Sequence, residues 1–403
     1  MSFQQSISGL NAAARSLDVI GNNVANANTV GAKASRTEFA DVYATSLSGA
    51  SNSSPGIGVT VGAIDQMFTQ GEIATTNNPT DMAINGAGFF RLSNQGAIEY
   101  SRNGQFKQDK DGYIVNMQGR RLTGYPADDN GLINGGTASE LRIRTADLTP
   151  RASTAGRLTM NLDARAAVPT VAFNDADPRT FSGSTTLTVF DSLGRDHAAA
   201  LYFRKTGVNT WEVNATADGT ALAGNPVATL AFSTAGTLSS GAPFTLNIPV
   251  GVDAGGSLAM TVQAPDVTQF GSTFGVTELT QNGFTSGRLS GFSLSDEGVI
   301  LSRYSNGQSQ PQGQIALGNF ANPQGLKSLG GNAWAESPSS GQALVGKAAS
   351  GNLGLLQSGA VENSNVDLTS ELVNMITAQR YYQANAQTIK TQDQVLQTLV
   401  NMR

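Results

Sequence analysis

LDVIGNNVANANTVGAK, residues 17–33, carries a helical hydrophobic pattern on residues that make poor helices. Upstream, Ile7, Leu10, Ala14 and Leu17 step by three and four, the spacing of one helical face, and the register continues through Gly21 to Val24. Yet residues 21–28 hold four asparagines and a glycine, all on the unfavourable side of the helix-propensity scale. A helix of this length is marginal in water on its own, so the stretch reads as a helix completed by what it packs against. The amides of Asn22 and Asn23 are expected to hydrogen-bond backbone or the groups that pack against this helix.

The partner expected for that helix lies at the other end of the chain. From Asp367, a candidate N-cap, the sequence runs to Arg403 without Gly or Pro. Leu372, Met375, Gln379, Tyr382, Ala386, Ile389, Asp393, Leu396 and Val400 keep a strict 3-4 spacing, an a/d seam interrupted by two polar residues. About 35 residues at 1.5 Å each make a rod of roughly 50 Å. Such a narrow stripe favours a coiled coil over the broad apolar face of an ordinary surface helix. Two matching seams at opposite ends of one chain are expected to pair with each other.

Between the ends the chain changes character. Only 14% of the 403 residues are charged and 46 are glycine, a composition of turn-rich β structure. SLSGASNSSPGIG (46–58) reads as a loop and TTNNPTD (75–81) as a turn cluster. From Met82, short strands are separated by NQG, RNG and KDG turns. The segment from Phe106 to Gly112 and Val115 is echoed from Phe292 to Gly298 and Leu301, each with an aromatic six residues before a turn glycine and an apolar pair after it. The echo suggests one domain built from two distant segments. Between them, TTLTVF (185–190), AAALYF (198–203) and NTWEVNA (209–215) alternate as strands around the turns DSLG (191–194) and TGVN (206–209).

The expected architecture is therefore mainly β with α-helical termini. Residues 1–30 with 363–403 form a helical coiled-coil domain and 31–80 an extended linker region. Residues 81–145 with 285–362 form a first β domain, and 146–284 a second β domain inserted in it.

The residues give little material for catalysis. His197 is the only histidine and there is no cysteine, so a His- or Cys-based metal site, thiolate chemistry and disulfides are all excluded. No G-x-S-x-G elbow supplies a nucleophile, and no glycine-rich phosphate loop is present. In DKDG (109–112) the glycine falls at position four, too early for an EF-hand, so the segment reads as a hairpin turn. Trp211 and Trp334 are too few and too far apart for a row of sugar platforms. A net charge of −5 without long runs leaves no footprint for nucleic acid or anionic membranes, and no apolar run is long enough to cross a membrane. The N-terminus lacks the pattern of a cleavable secretory signal. No catalytic, cofactor or metal residues are therefore expected, and a secreted enzyme survives only as a remote alternative.

The ends resemble a specific family. SGLNAAARSLDVIGNNVANANTVGAK (8–33) and NSNVDLTSELVNMITAQRYYQANAQTIKTQDQVLQTL (363–399) are similar to the N- and C-terminal signatures of the bacterial flagellar axial proteins, the rod and hook subunits. INGAGFFRL (84–92), YSRNGQFKQDKDGYIVNMQGRRLTGY (100–125) and GNFANPQGLKSLGGNAWAESPSSGQ (318–342) resemble the family's first β domain, and FDSLGRDH (190–197) a hairpin of the hook type's inserted domain. The insert separates the hook type from distal-rod subunits, which are kept as the alternative.

The resemblance implies a structural subunit, exported unfolded by the flagellar type III apparatus and polymerised into a short, curved, hollow tube. That tube would transmit torque as a universal joint, outside the cell at the distal end of the basal body. The implied partners are further copies of the chain, the distal rod protein, the hook–filament junction proteins and the hook cap. Ile7, Leu10, Ala14, Leu17, Asn22, Asn23, Val24, Leu372, Met375, Tyr382, Ala386, Ile389, Leu396 and Val400 would carry assembly. Thr29, Gly31 and Lys33 match the family's T-x-G-x-K turn element, but Ala32 stands where an aromatic residue is common.

Overall fold

In a computed structural model of the protein, residues 2–42, 56 and 58–401 are described; most of the 46–58 loop lies outside them. The chain is mainly β, with one helix near each end: α1 (Ser2–Ala25) and α2 (Leu368–Asn401). It divides into two compact bodies. One comprises Met1–Thr145, Phe292–Ser302 and Gln310–Arg403, and the other Ala146–Gly291 with Arg303–Ser309.

In the first body α2 starts where the sequence places its cap. The Asp367 carboxylate accepts the backbone N–H of Thr369 at 2.9 Å and of Ser370 at 3.3 Å, satisfying donors that a helix start leaves unpaired. Residues 31–80, expected as a linker, contain ordered sheet instead. β1 (Ser35–Val42) pairs antiparallel with β2 (Gly58–Gln66), with a register shift between Glu38 and Phe39. Further on, Ile73–Thr75 pairs with Ala360–Glu362, joining the two ends of the chain by backbone hydrogen bonds.

The larger sheet of this body is built around Arg121–Pro126, which pairs with Phe89–Asn94 on one side and Ser309–Asn319 on the other. Phe90, Leu92, Phe106, Ile114, Leu122, Ile315 and Leu317 form its core. A second cluster gathers Phe89, Tyr100, Phe320 and Trp334 with Phe68, in edge-to-face contacts. The echoed hairpins share one geometry. Gly112 (φ 88°) and Gly298 (φ 79°) sit in the left-handed region at the two turns. Each also offers its carbonyl to an isoleucine N–H, Ile143 and Ile315 respectively, at 2.8 Å.

In the second body two sheets enclose one core. The chain order Gly183–Phe190, Asp196–Gly207, Thr210–Ala217 gives an antiparallel meander; the other sheet centres on Ala155–Asp163, flanked by Ser257–Gln263 and Gly275–Gln281. Leu158, Phe203, Trp211, Leu246 and Met260 meet between them, fully buried. This body reaches beyond residue 284, and backbone pairing is the reason. Leu148 and Gly287 exchange hydrogen bonds at 2.7 and 3.2 Å, and Ser305 donates to the Arg288 carbonyl at 2.8 Å. Residues 285–291 and 303–309 therefore belong with the insert rather than with the first β domain.

Candidate assembly site at the joined chain ends

The LDVIGNNVANANTVGAK stretch stays helical to Ala25, through Gly21, Asn22 and Asn23. Asn23 explains how. Its side chain is buried and bonded on every side: Nδ2 donates to the Ser35 carbonyl at 2.8 Å and to Glu371 Oε1 at 3.1 Å, and Oδ1 accepts the Ser35 N–H at 2.9 Å. One amide thus ties α1 to the start of β1 and to the first turn of α2, all within one copy. Asn22 is exposed, and its side chain accepts from Asn26 Nδ2 at 3.3 Å.

After Ala25 the chain turns sharply. The Thr29 N–H bonds the Asn26 carbonyl at 3.0 Å and the Ala32 N–H the Thr29 carbonyl at 3.1 Å. Gly31 has φ +70°, and a Cβ there would lie 2.5 Å from the Asn103 nitrogen; only glycine fits both conditions. Ala32 is buried, at 4% exposure.

Lys33 then enters a buried ion cluster. Its Nζ donates to Glu362 Oε1 at 2.6 Å and to the Thr69 carbonyl at 2.7 Å, and both charged side chains are wholly buried. Arg102 Nη1 lies 3.4 Å from the other Glu362 oxygen, and Arg102 Nη2 donates to the Gly86 carbonyl at 2.7 Å. The Gly71 N–H adds a bond to Glu362 Oε1 at 2.9 Å. Burial pushes the Lys33 pKa below its ordinary value, with Glu362 opposing that push by charge and hydrogen bond. Arg102 is lowered by burial in the same way, again against Glu362. Nearby, Asn365 Oδ1 accepts the Ala34 N–H at 2.8 Å while its Nδ2 donates to the Met67 carbonyl at 2.7 Å. Residues 29–34, 67–72 and 360–365 are thereby clasped together, although Lys33 and Glu362 are separated by 329 positions.

The helices run antiparallel beside one another: Asn23 meets Glu371, and a Cβ on Gly9 would sit 2.8 Å from Asn385 Oδ1. Their facing surface is not the expected seam but the stripe next to it. Ala12, Ala13, Ile20 and Asn23 are buried on α1, whereas Leu10, Ala14, Leu17 and Val24 are half-buried and Ile7 is exposed. On α2, Ala378 is buried; Met375, Asn385, Ala386 and Ile389 are half-buried. Leu372, Tyr382, Leu396 and Val400 are 45, 38, 56 and 74% exposed. Small residues decide this choice: Gly9, Ala12 and Ala13 let α2 approach closely, where leucines would hold it off. The large apolar side chains stay outside, joined there by Val373, Ile376 and Tyr381.

The sequence reading missed Glu362, Arg102, Asn365 and Gly9. A lone glutamate immediately before the NSNVDL signature, in so weakly charged a chain, was the one available signal for Glu362.

The other candidate chemistry resolves into turn and core structure. Asp109 Oδ1 accepts the N–H groups of Asp111 and Tyr113 at 2.9 and 2.8 Å, closing the expected hairpin turn. Both tryptophans are buried, with their indole N–H groups on Gln269 and Gln66 at 2.6 Å each. His197 stands at a strand start in the insert. Its Nδ1 is 2.7 Å from Asp218 Oδ2 and its Nε2 3.6 Å from Asp191 Oδ2. Burial works against the charge on Asp191, but the Arg195 side chain and the backbone N–H groups of Arg195 and Leu193 hold its pKa down at about 2.

A mainly β chain with paired terminal helices fits the flagellar axial subunits that its two ends resemble. Family models match in the same order along the chain. Flagella basal body rod protein covers residues 3–33, Flagellar hook protein FlgE/F/G D1 domain 83–157, Flagellar basal body protein FlaE D2 domain 161–284 and Flagellar basal body rod FlgEFG protein C-terminal 357–402. The chain is 44% identical to the flagellar hook protein FlgE of Escherichia coli K12 over the full length of both. It is 32% identical to that of Borreliella burgdorferi, covering all of this chain and 99% of the relative. The crystal structure of Helicobacter pylori flagellar hook protein FlgE2 shares the fold with a TM-score of 0.55 at 15% identity, over 72% of this chain and 99% of that one. The chain belongs to the flagellar hook protein FlgE family and is a structural subunit of the hook.

Proposed function

We propose that the protein polymerises through its paired terminal helices into the curved, hollow hook tube, which passes torque from rod to filament while it bends. The supporting observation is that α1 and α2 meet through small residues and leave Leu372, Val373, Ile376, Leu396 and Val400 exposed on the single copy. Apolar side chains repeated along a helix favour burial against further helices. The partners of this reading are further copies of the chain, the distal rod protein, the junction proteins, the hook cap during assembly and the type III export apparatus. The role is non-enzymatic, and the site of action is outside the cell. A secreted, cysteine-free chain with marginal isolated helices suits export in the unfolded state.

In the inserted body, outward-facing positions of its strands are largely Thr, Ser, Ala and Gly. Contacts of that kind are wet and weakly apolar, and they permit sliding as the tube bends. Electron microscopy of polymer grown from purified protein tests the reading: curved tubes are expected, and straight, rigid rods would favour the distal-rod alternative instead.

A further inference from the structure

Two features of the paired helices have no occupant among the described residues of the chain. The first is an overhang. The contacts of Gly9 with Asn385 and of Asn23 with Glu371 keep one antiparallel register, which sets Ser2 opposite Gln392. Residues 393–401 of α2 therefore run past the described start of α1 by about 14 Å at 1.5 Å per residue. Val395, Leu396 and Val400 on this overhang are 55, 56 and 74% exposed. Leu396 and Val400, four apart, share one helical face. Between Gln394 and Asn401 there is no charged residue to desolvate.

The second feature is a groove of about 620 Å³ between α1, α2 and β1, lined largely by apolar groups that include Ala12, Ala13, Ile20, Phe39 and Ala378. It exists because the stripe that brings the helices together is made of small side chains, which leave space above them. That volume accommodates several aliphatic side chains.

We infer that the overhanging end of α2 from one copy seats in this groove of the next copy. The inference rests on the polymerisation proposed above. The occupant must come from another copy because α2 is one continuous helix and itself forms a wall of the groove, so its own end points away. The two surfaces differ, so the contact is head-to-tail. Such contacts extend into rings or helical polymers rather than stopping at a closed dimer.

The natural absence of cysteine makes the test clean. Ser16→Cys, in the groove, and Val400→Cys, on the overhang, are made as separate full-length proteins, mixed in equal amounts, polymerised and oxidised. A disulfide-linked dimer is expected from the mixture in polymer, at least tenfold over either protein alone and over the unpolymerised mixture. Leu396→Asp with Val400→Asp is expected to leave the circular dichroism of the single copy unchanged and to reduce polymer yield at least tenfold. Normal polymer without the cross-link, or normal yield from the double aspartate variant, overturns the inference while leaving the hook reading intact. So does a Ser16→Cys thiol that resists maleimide in the single copy, since the groove would then be closed without a second copy. Wild-type protein that never polymerises overturns both.

Discussion

The inserted body and the joined chain ends use opposite strategies. In the insert, large side chains such as Phe203 and Trp211 are fully buried between two sheets of the same copy. At the ends, most large apolar groups of α2 face outward, and the contacts inside the copy are made mainly by small residues with Ile20, one buried asparagine and an ion cluster. The first arrangement derives its stability from burial. The second holds geometry through directional polar bonds and leaves its apolar area exposed on the single copy, open to the assembly proposed above. A subunit that must assemble needs both, because a body with all its apolar surface satisfied has little drive to associate.

That contrast can be broken most severely from either side. Phe203→Ala should cost about 3–5 kcal/mol by leaving a cavity in the insert, and Glu362→Ala a similar ~3–5 kcal/mol by stranding Lys33 and Arg102 as buried charges. Calorimetry should assign the two losses to different transitions; a single shared shift would show that the regions are not stabilised separately. Asn23→Ala removes bonds to Ser35 and Glu371 and should cost about 1–3 kcal/mol, read as faster amide exchange in α1 and in the first turn of α2. Exchange unchanged in α2 would mean that the amide does not couple the helices.

Asp191 sharpens the comparison through pH. Its folded-state pKa of about 2 lies below that of the unfolded chain, so the unfolded state takes up the proton first. The stability it contributes is complete above the ordinary carboxylate range and is lost as the pH falls toward about 2. Acid unfolding of the insert should be steeper in wild type than in Asp191→Asn; equal slopes would remove Asp191 from the account. The smallest effect belongs to Leu396→Ser. Surface changes of this kind stay within about 0.5 kcal/mol, so the melting temperature of the single copy should barely move even if assembly fails. A drop of several degrees would reveal a contact inside the copy.

Local features were the legible ones. The Asp367 cap, the Asp109 hairpin turn and the alternating strands around DSLG depend on residues a few positions apart, and each is present in the structure. The echo between Phe106–Val115 and Phe292–Leu301 was visible for the same reason, since a turn glycine and its flanking apolar residues form one short pattern. His197 was placed correctly at a strand start, and its neighbour Asp191 stands in the DSLG turn just before it, but Asp218 comes from another turn and left no mark near it. The 285–291 and 303–309 boundary was missed because it is set by backbone pairing, which any side chain permits.

Periodicity alone gives a helix and its apolar stripe, since both follow from 3.6 residues per turn. It does not say which stripe meets the partner inside the copy. Close approach at Gly9, Ala12 and Ala13 decided that, turning Leu10, Leu17 and Leu372 away from the helix–helix contact. The same holds for LDVIGNNVANANTVGAK: its asparagines announced a helix in need of support, but only the fold brings Ser35 and Glu371 to Asn23, and Glu362 to Lys33. Contacts across more than three hundred positions exist only once the two ends have been brought together, because a side chain in the sequence carries no record of its distant neighbour.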